Sequence, residues 1–189
     1  MTEDTLARLA AAGLEKCLLK MTEVSAGAWR LEGARAFRGT VRDAIKRQDR
    51  GTEPAAALRI KIKGSPPFTT AILFSPGDIN HLSRCYMDGS FCALPDWDQP
   101  EVTIVEIGNV ILNALANALL KALAATAVPS VPAYFKGENG TVEKWLDAGP
   151  GTFTVVYARL TAQRDGRSAS AEVFALLPSA LAADAPGPK

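Results

Sequence analysis

The chain has 189 residues, and its 21 Lys+Arg against 20 Asp+Glu leave a net charge of +1. That length suffices to bury one real core, and the balanced charge supplies no broad basic field for nucleic acid or an acidic membrane. Cys17, Cys85 and Cys92 are an odd, scattered set without a C-x-x-C pair, which argues for buried thiols in a reducing, cytoplasmic compartment and against a disulfide frame.

The opening MTEDTLARL is acidic and carries no long apolar stretch, so no signal peptide is expected, and Asn139-Gly140-Thr141 matches a glycosylation sequon by coincidence. Residues 4 to 22 set Leu6, Leu9, Gly13, Leu14, Cys17, Leu18 and Met21 on one side and Arg8, Glu15, Lys16 and Lys20 on the other, an amphipathic helix. Ala28 to Lys46 mixes strand-like pieces with arginines, and residues 48 to 54 (QDRGTEP) form a polar loop. From Ala55 to Lys63 the alternation is clean: Leu58, Ile60 and Ile62 face one way, Arg59, Lys61 and Lys63 the other. Gly64-Ser65-Pro66-Pro67 turns the chain into a second strand, Phe68 to Phe74. Ser75 as N-cap, Pro76 at the first helical position and Asp78 then predict a short helix to about Met87, with Ile79, Leu82 and Tyr86 on one face.

After a loop over 88–100, residues 101 to 126 form a long helix that is Ile, Val, Leu and Ala on most of its surface. Glu106, Asn109, Asn113, Asn117 and Lys121 interrupt it at steps of three and four, so they draw one polar stripe along the helix. Polar groups on a helix otherwise packed by protein cost free energy unless they find partners or open to solvent. The length would cross a bilayer, but a carboxylate, three Asn and a Lys inside the window make insertion costly. Pro129 and Pro132 precede a strand through Phe135, a short helix is expected over 141–147, and 152–162 with 167–177 form a hairpin through Arg164-Asp165-Gly166. The order predicts an α+β fold with a largely antiparallel sheet packed by two long helices. Each long helix is followed by paired strands, which suggests a weak internal duplication. One domain is expected over 1–180, with a disordered tail over 181–189.

Glu106-Ile107-Gly108-Asn109 in an Ala-rich helix, with Pro132 beyond it, resembles the CheC/CheX/FliY family of chemotaxis phosphatases. The family pattern is Asp or Ser, Glu four residues later, Asn three after that, and Pro twenty-three after the Asn; Glu106, Asn109 and Pro132 match these spacings. AILFSPGDINHLSRCYMDG and AEVFALLPSAL resemble the segments before and after the motif, so the likeness covers about residues 55 to 180. The pattern's first position falls on Val102, so any capping there passes to Asp98 or Thr103.

The resemblance implies a CheC-like fold with internal pseudo-two-fold symmetry. It also implies hydrolysis of the aspartyl phosphate on a CheY-type response regulator. Asn109 would orient the attacking water and Glu106 would engage the receiver's phosphate-sensing lysine. Asn113 would support the groove, and Mg²⁺ would belong to the receiver, with no cofactor or metal of this chain's own. The helix at 4–22 has no Glu-x-x-Asn pair, so one site is expected. The alternative is a non-catalytic module of the same fold that binds receivers or flagellar-switch proteins; Val102 keeps it open. No nucleic acid or membrane partner is expected, and the sequence leaves monomer and homodimer both open.

Plainer readings stand beside these. Asn113 and Asn117 serve as well as groove residues or interhelical hydrogen-bond partners. His81 and Cys85 have a zinc-compatible spacing but are only two. Asp96, Asp98 and Glu101 suit a helix start, the basic residues between Arg30 and Arg50 suit a solvated face, and no Ser or Cys nucleophile comes with a base.

Overall fold

Strands and helices alternate in a repeated order. The computed structural model describes residues 1–46, 54–64, 67–87 and 100–179. It places α1 (Glu3–Val24), β1 (Ala28–Gly39), α2 (Val41–Lys46), β2 (Pro54–Lys63) and β3 (Phe68–Phe74) in the first half. A 3-10 turn (Pro76–Asp78) then runs into α3 (Ile79–Tyr86). The second half holds α4 (Pro100–Ala122), β4 (Val128–Pro129), β5 (Ala133–Glu138), α5 (Asn139–Leu146), β6 (Phe153–Arg164) and β7 (Arg167–Pro178). Most of the polar loop at 48–54, Ser65-Pro66, Cys92, Asp96, Asp98 and the tail 181–189 lie outside the described residues.

All strand pairs in the seven-stranded sheet are antiparallel, in the order β1-β6-β7-β3-β2, with β4 and β5 sharing the far edge of β2. The duplication is explicit in this order. α1-β1-α2-β2-β3 and α4-β5-α5-β6-β7 repeat one sequence of elements, and exchanging the halves reverses β1-β6-β7-β3-β2-β5 onto itself. The pseudo-two-fold axis therefore passes between β3 and β7. Ser130 bridges the gap between β4 and β5, its N–H donating to the Lys61 carbonyl at 2.8 Å and its Oγ accepting from the Lys61 N–H at 3.0 Å.

Each sheet face carries its own core. Leu58, Ile60, Ile62, Ile72, Phe74, Val156, Leu160 and Val173 meet α1, α3 and α4 on one side. Ala57, Leu73, Val155, Phe174 and Leu176 meet α2 and α5 on the other. Alternate residues of β2 divide between the two, as the period of two requires. β6 and β7 close through Asp165 (φ 52°) and Gly166 (φ 74°), the paired left-handed conformations of a two-residue hairpin turn.

Two expectations are corrected. Ser75 makes no side-chain cap; the chain enters α3 through the 3-10 turn, with the Asp78 N–H donating to the Ser75 carbonyl at 2.9 Å. The long helix ends at Ala122 rather than 126. Ala124 turns left-handed (φ 50°), its N–H donates to the Lys121 carbonyl at 3.2 Å, and the Ala125 N–H reaches the Leu120 carbonyl at 3.0 Å. That is a Schellman stop with alanine where glycine is usual.

Close contacts at two glycines seat α4, Gly108 against the sheet and Gly13 of α1 against α4. A Cβ on Gly108 would lie 2.8 Å from Leu58 Cδ2 and 3.3 Å from Ile72 Cγ2, and one on Gly13 would lie 2.5 Å from Ala118 Cβ, so both positions are already filled by their neighbours. By length and composition α4 could cross a membrane, yet 50% of its most apolar 18-residue window is buried inside the protein.

Candidate functional site

The site is built on α4, and the helix has two sides. Ile104, Ile107, Ile111, Leu115 and Leu119 are at most 1% exposed and rest on the sheet and α1. On the outer side Glu106 is exposed, Asn109 and Asn113 are half-buried, and Asn117 and Lys121 are exposed. The polar stripe thus faces outward, and Glu106 makes neither hydrogen bond nor ion pair among the described residues. Toward the C-terminal end, Asn117 and Lys121 line a groove of about 640 Å³ between α4 and α1, opposite Thr5, Leu9 and Lys16.

Val102 and Val110 flank Glu106 one turn on either side, 47% and 37% exposed. Glu106 thus stands between two partly exposed valines on the outer side of α4. The Asn109 carboxamide sits one turn beyond Glu106. Asn113 Nδ2 donates to both Asn109 Oδ1 (2.8 Å) and the Asn109 backbone carbonyl (2.9 Å). Of the two roles open to Asn113, groove residue or interhelical partner, these bonds are not the second: they run within α4, because the i+4 position lies directly above the i side chain.

Two neighbours went unassigned in the sequence. The Tyr86 phenol of α3 is half-buried and pushed up first by burial and then by the charge of Glu106, with Cys17 adding to the shift. Cys17 of α1 brings its Sγ to 4.0 Å from the Val110 carbonyl, and burial pushes its thiol up against the opposing pull of Lys20. A thiol held protonated is a poor nucleophile. Only contacts between separate helices reveal this pair, so no sequence spacing could have marked it.

Thr103 is 3% exposed and turned inward, its Oγ1 3.8 Å from Met87 Sδ, so it does not stand in on the surface for the residue that Val102 replaces. Asp98 lies outside the described residues. Glu101 pairs with Lys136 of β5 at 2.6 Å, joining the start of α4 to the sheet edge. Pro132 is half-buried in the link between β4 and β5, where the partner of β2 changes.

The remaining candidates are dispersed. His81 Nε2 lies 3.0 Å from the Arg167 carbonyl and 3.5 Å from Cys85 Sγ, and among the described residues no three His, Cys, Asp or Glu side chains gather as a metal site. Arg42 pairs with Glu143 at 3.1 Å, while Arg35 lies over the Tyr157 ring at 4.8 Å. Both arginines are engaged on the side of the sheet that carries α2 and α5. What converges on one accessible face is a carboxylate, an oriented carboxamide and two apolar flanks, which can dock a partner and hold a water.

A doubled α-β-α-β-β unit with this helix across the sheet is the CheC/CheX-like fold. The FliY of Thermotoga maritima shares it at 9% identity with a TM-score of 0.60, over 95% of this chain and 90% of that one. The FliM middle domain of H. pylori is similar at 8% identity and a TM-score of 0.59, over 93% and 94%. A CheX of Borrelia burgdorferi, in a complex with CheY, BeF3 and Mg²⁺, is similar at 14% identity and a TM-score of 0.51, over 91% and 97%. No family model matches the sequence, and no curated protein matches it.

Proposed function

We propose that the protein is a phosphatase of a CheY-type response regulator in chemotaxis or two-component signalling, hydrolysing the aspartyl phosphate with Asn109 and docking the receiver through Glu106. The observation that carries this reading is the outward-facing Glu106–Asn109 pair, one turn apart on a rigid helix and bracketed by exposed valines, in a fold shared with a CheX found in complex with CheY.

The chemistry asks little of the phosphatase. An acyl phosphate is already activated, so positioning a water in line with phosphorus supplies most of the acceleration. The water's oxygen bonds to phosphorus as the bond from phosphorus to the aspartate oxygen breaks; inorganic phosphate leaves as H2PO4−, carrying both of the water's protons, and the receiver's aspartate keeps the electron pair as a carboxylate. A carboxamide suits the water, accepting from it at one end and donating toward the phosphoryl oxygens at the other, as glutamine does in small GTPases. Glu106 would engage a lysine of the receiver, a charge-assisted contact that sets register. Mg²⁺ would be held by the receiver.

A second reading has its own support. Val102 replaces the acid or hydroxyl of the motif's first position, and the likeness to a FliM middle domain has a higher TM-score (0.59) than that to the CheX (0.51); a receiver- or switch-binding module without turnover fits both. Phosphate release from a phosphorylated receiver, with and without the protein, separates them. Acceleration supports the phosphatase; binding of a BeF3-loaded receiver without acceleration supports the module.

A further inference from the structure

We infer that Asn113 is a positioning residue that sets which end of the Asn109 carboxamide faces the partner. The inference rests on the phosphatase reading for its consequence, but its geometry is separate. A carboxamide has unlike ends, one accepting and one donating, and a half-turn about its last torsion exchanges them at little cost when nothing holds it. At Asn109 something does. Asn113 Nδ2 lies 2.9 Å from the Asn109 backbone carbonyl, a group that can only accept, so Asn113 must present its nitrogen there. The same nitrogen lies 2.8 Å from the Asn109 side chain, so the atom facing it must be the acceptor Oδ1. The Asn109 amide orientation therefore follows from a backbone acceptor of fixed polarity.

The Nδ2 of Asn109 is consequently directed away from Asn113, while Oδ1 keeps one lone pair for a further donor such as water. Both atoms are then oriented before any partner arrives. In the proposed reaction a flipped carboxamide would offer the wrong atom to each of its two contacts, so orientation fixed in advance removes an unproductive state.

The test is made on the intact protein, first without any partner. The ¹⁵N order parameter of the Asn109 side-chain NH2 is measured in the parent, in Asn113→Leu and in Asn113→Asp. The parent group is expected to be rigid, and Asn113→Leu to drop it into the flexible range, below about 0.6. Asn113→Asp offers only acceptors, which can pair with neither the Asn109 backbone carbonyl nor Oδ1, so it too should lose the parent's fixed orientation and shift the Asn109 resonances. An unchanged order parameter in Asn113→Leu overturns the inference. The second arm is turnover with phosphorylated receiver: Asn113→Leu should lower kcat about 2- to 10-fold with KM unchanged, Asn113→Asp more than that, and neither should add to Asn109→Ala. Additive losses, or a loss confined to KM, overturn it in favour of a structural or docking role. If the parent releases no phosphate, the phosphatase reading fails, and the order parameters still decide whether Asn113 orients Asn109.

Discussion

Replacing Gly108 should lower stability even though it sits inside a helix. Gly→Ala in an exposed helix interior normally gains up to about 1 kcal/mol from propensity. At Gly108 the added Cβ would stand 2.8 Å from Leu58 Cδ2, 3.3 Å from Ile72 Cγ2 and 3.4 Å from Leu58 Cβ. Leu58 and Ile72 are both 0% exposed, so the leucine tip has no free space to enter. Overpacking of this kind costs about 1–3 kcal/mol. The clash should therefore outweigh propensity, leaving Gly108→Ala about 1 kcal/mol less stable and its melting temperature roughly 2–4 °C lower. A double-mutant cycle in urea isolates the cause. Leu58→Ala alone should cost about 2–5 kcal/mol, and it should cost clearly less in the Gly108→Ala background, where the new methyl enters the vacated space. A Gly108→Ala protein that melts higher than the parent, with no coupling to Leu58, would show that α4 does not rest this closely on β2.

Other outcomes can be checked independently. Burial first, and then the Glu172 carboxylate, push the Tyr157 phenol up to about 12. The unfolded chain releases this proton near pH 10 and the folded chain does not, so the contribution of Tyr157 to stability should be constant below pH 10 and fall by at most about 2–3 kcal/mol toward pH 12. Urea midpoints across that range should fall less steeply in Tyr157→Phe; an identical slope would remove Tyr157 as a cause. Ala124→Gly should raise stability by about 0.5–1 kcal/mol, since a left-handed alanine costs roughly 1–2 kcal/mol and glycine's extra unfolded freedom returns only part of it. A thermal melt showing no gain would contradict the Schellman stop. Glu106→Ala should weaken binding of a BeF3-loaded receiver by about 1–3 kcal/mol, read by titration calorimetry; unchanged affinity would leave Glu106 with no part in docking.

Much of the fold was legible where periodicity is strong. β2 reads cleanly because Leu58, Ile60 and Ile62 oppose Arg59, Lys61 and Lys63, and the hairpin of β6 and β7 is announced by Asp165-Gly166. β1 was not read as one strand. Its register shifts between Leu31 and Gly33, which leaves Glu32 out of the ladder and breaks the alternation, and its edge position tolerates arginines on the open face. The end of α4 was hidden because the stopping residue is Ala124, whose φ nothing in its identity signals. At the candidate site the Glu106–Asn109 spacing and its outward face could be read from helical geometry alone. Tyr86 and Cys17 could not, since they arrive from α3 and α1, and the bond from Asn113 to Asn109 depends on side-chain torsions that spacing does not fix.

The role of Asn109 is tested most directly by single-turnover dephosphorylation of a phosphorylated receiver at saturating concentrations of this protein, which separates the chemical step from docking. Asn109→Ala should bind the receiver as the parent does and release phosphate on the order of 10²-fold more slowly, about 2.7 kcal/mol of barrier. Asn109→Asp should be no faster than alanine, because it turns a negative charge toward the phosphoryl group. Parent-like rates in both variants would contradict the account and leave Asn109 without a part in placing the water.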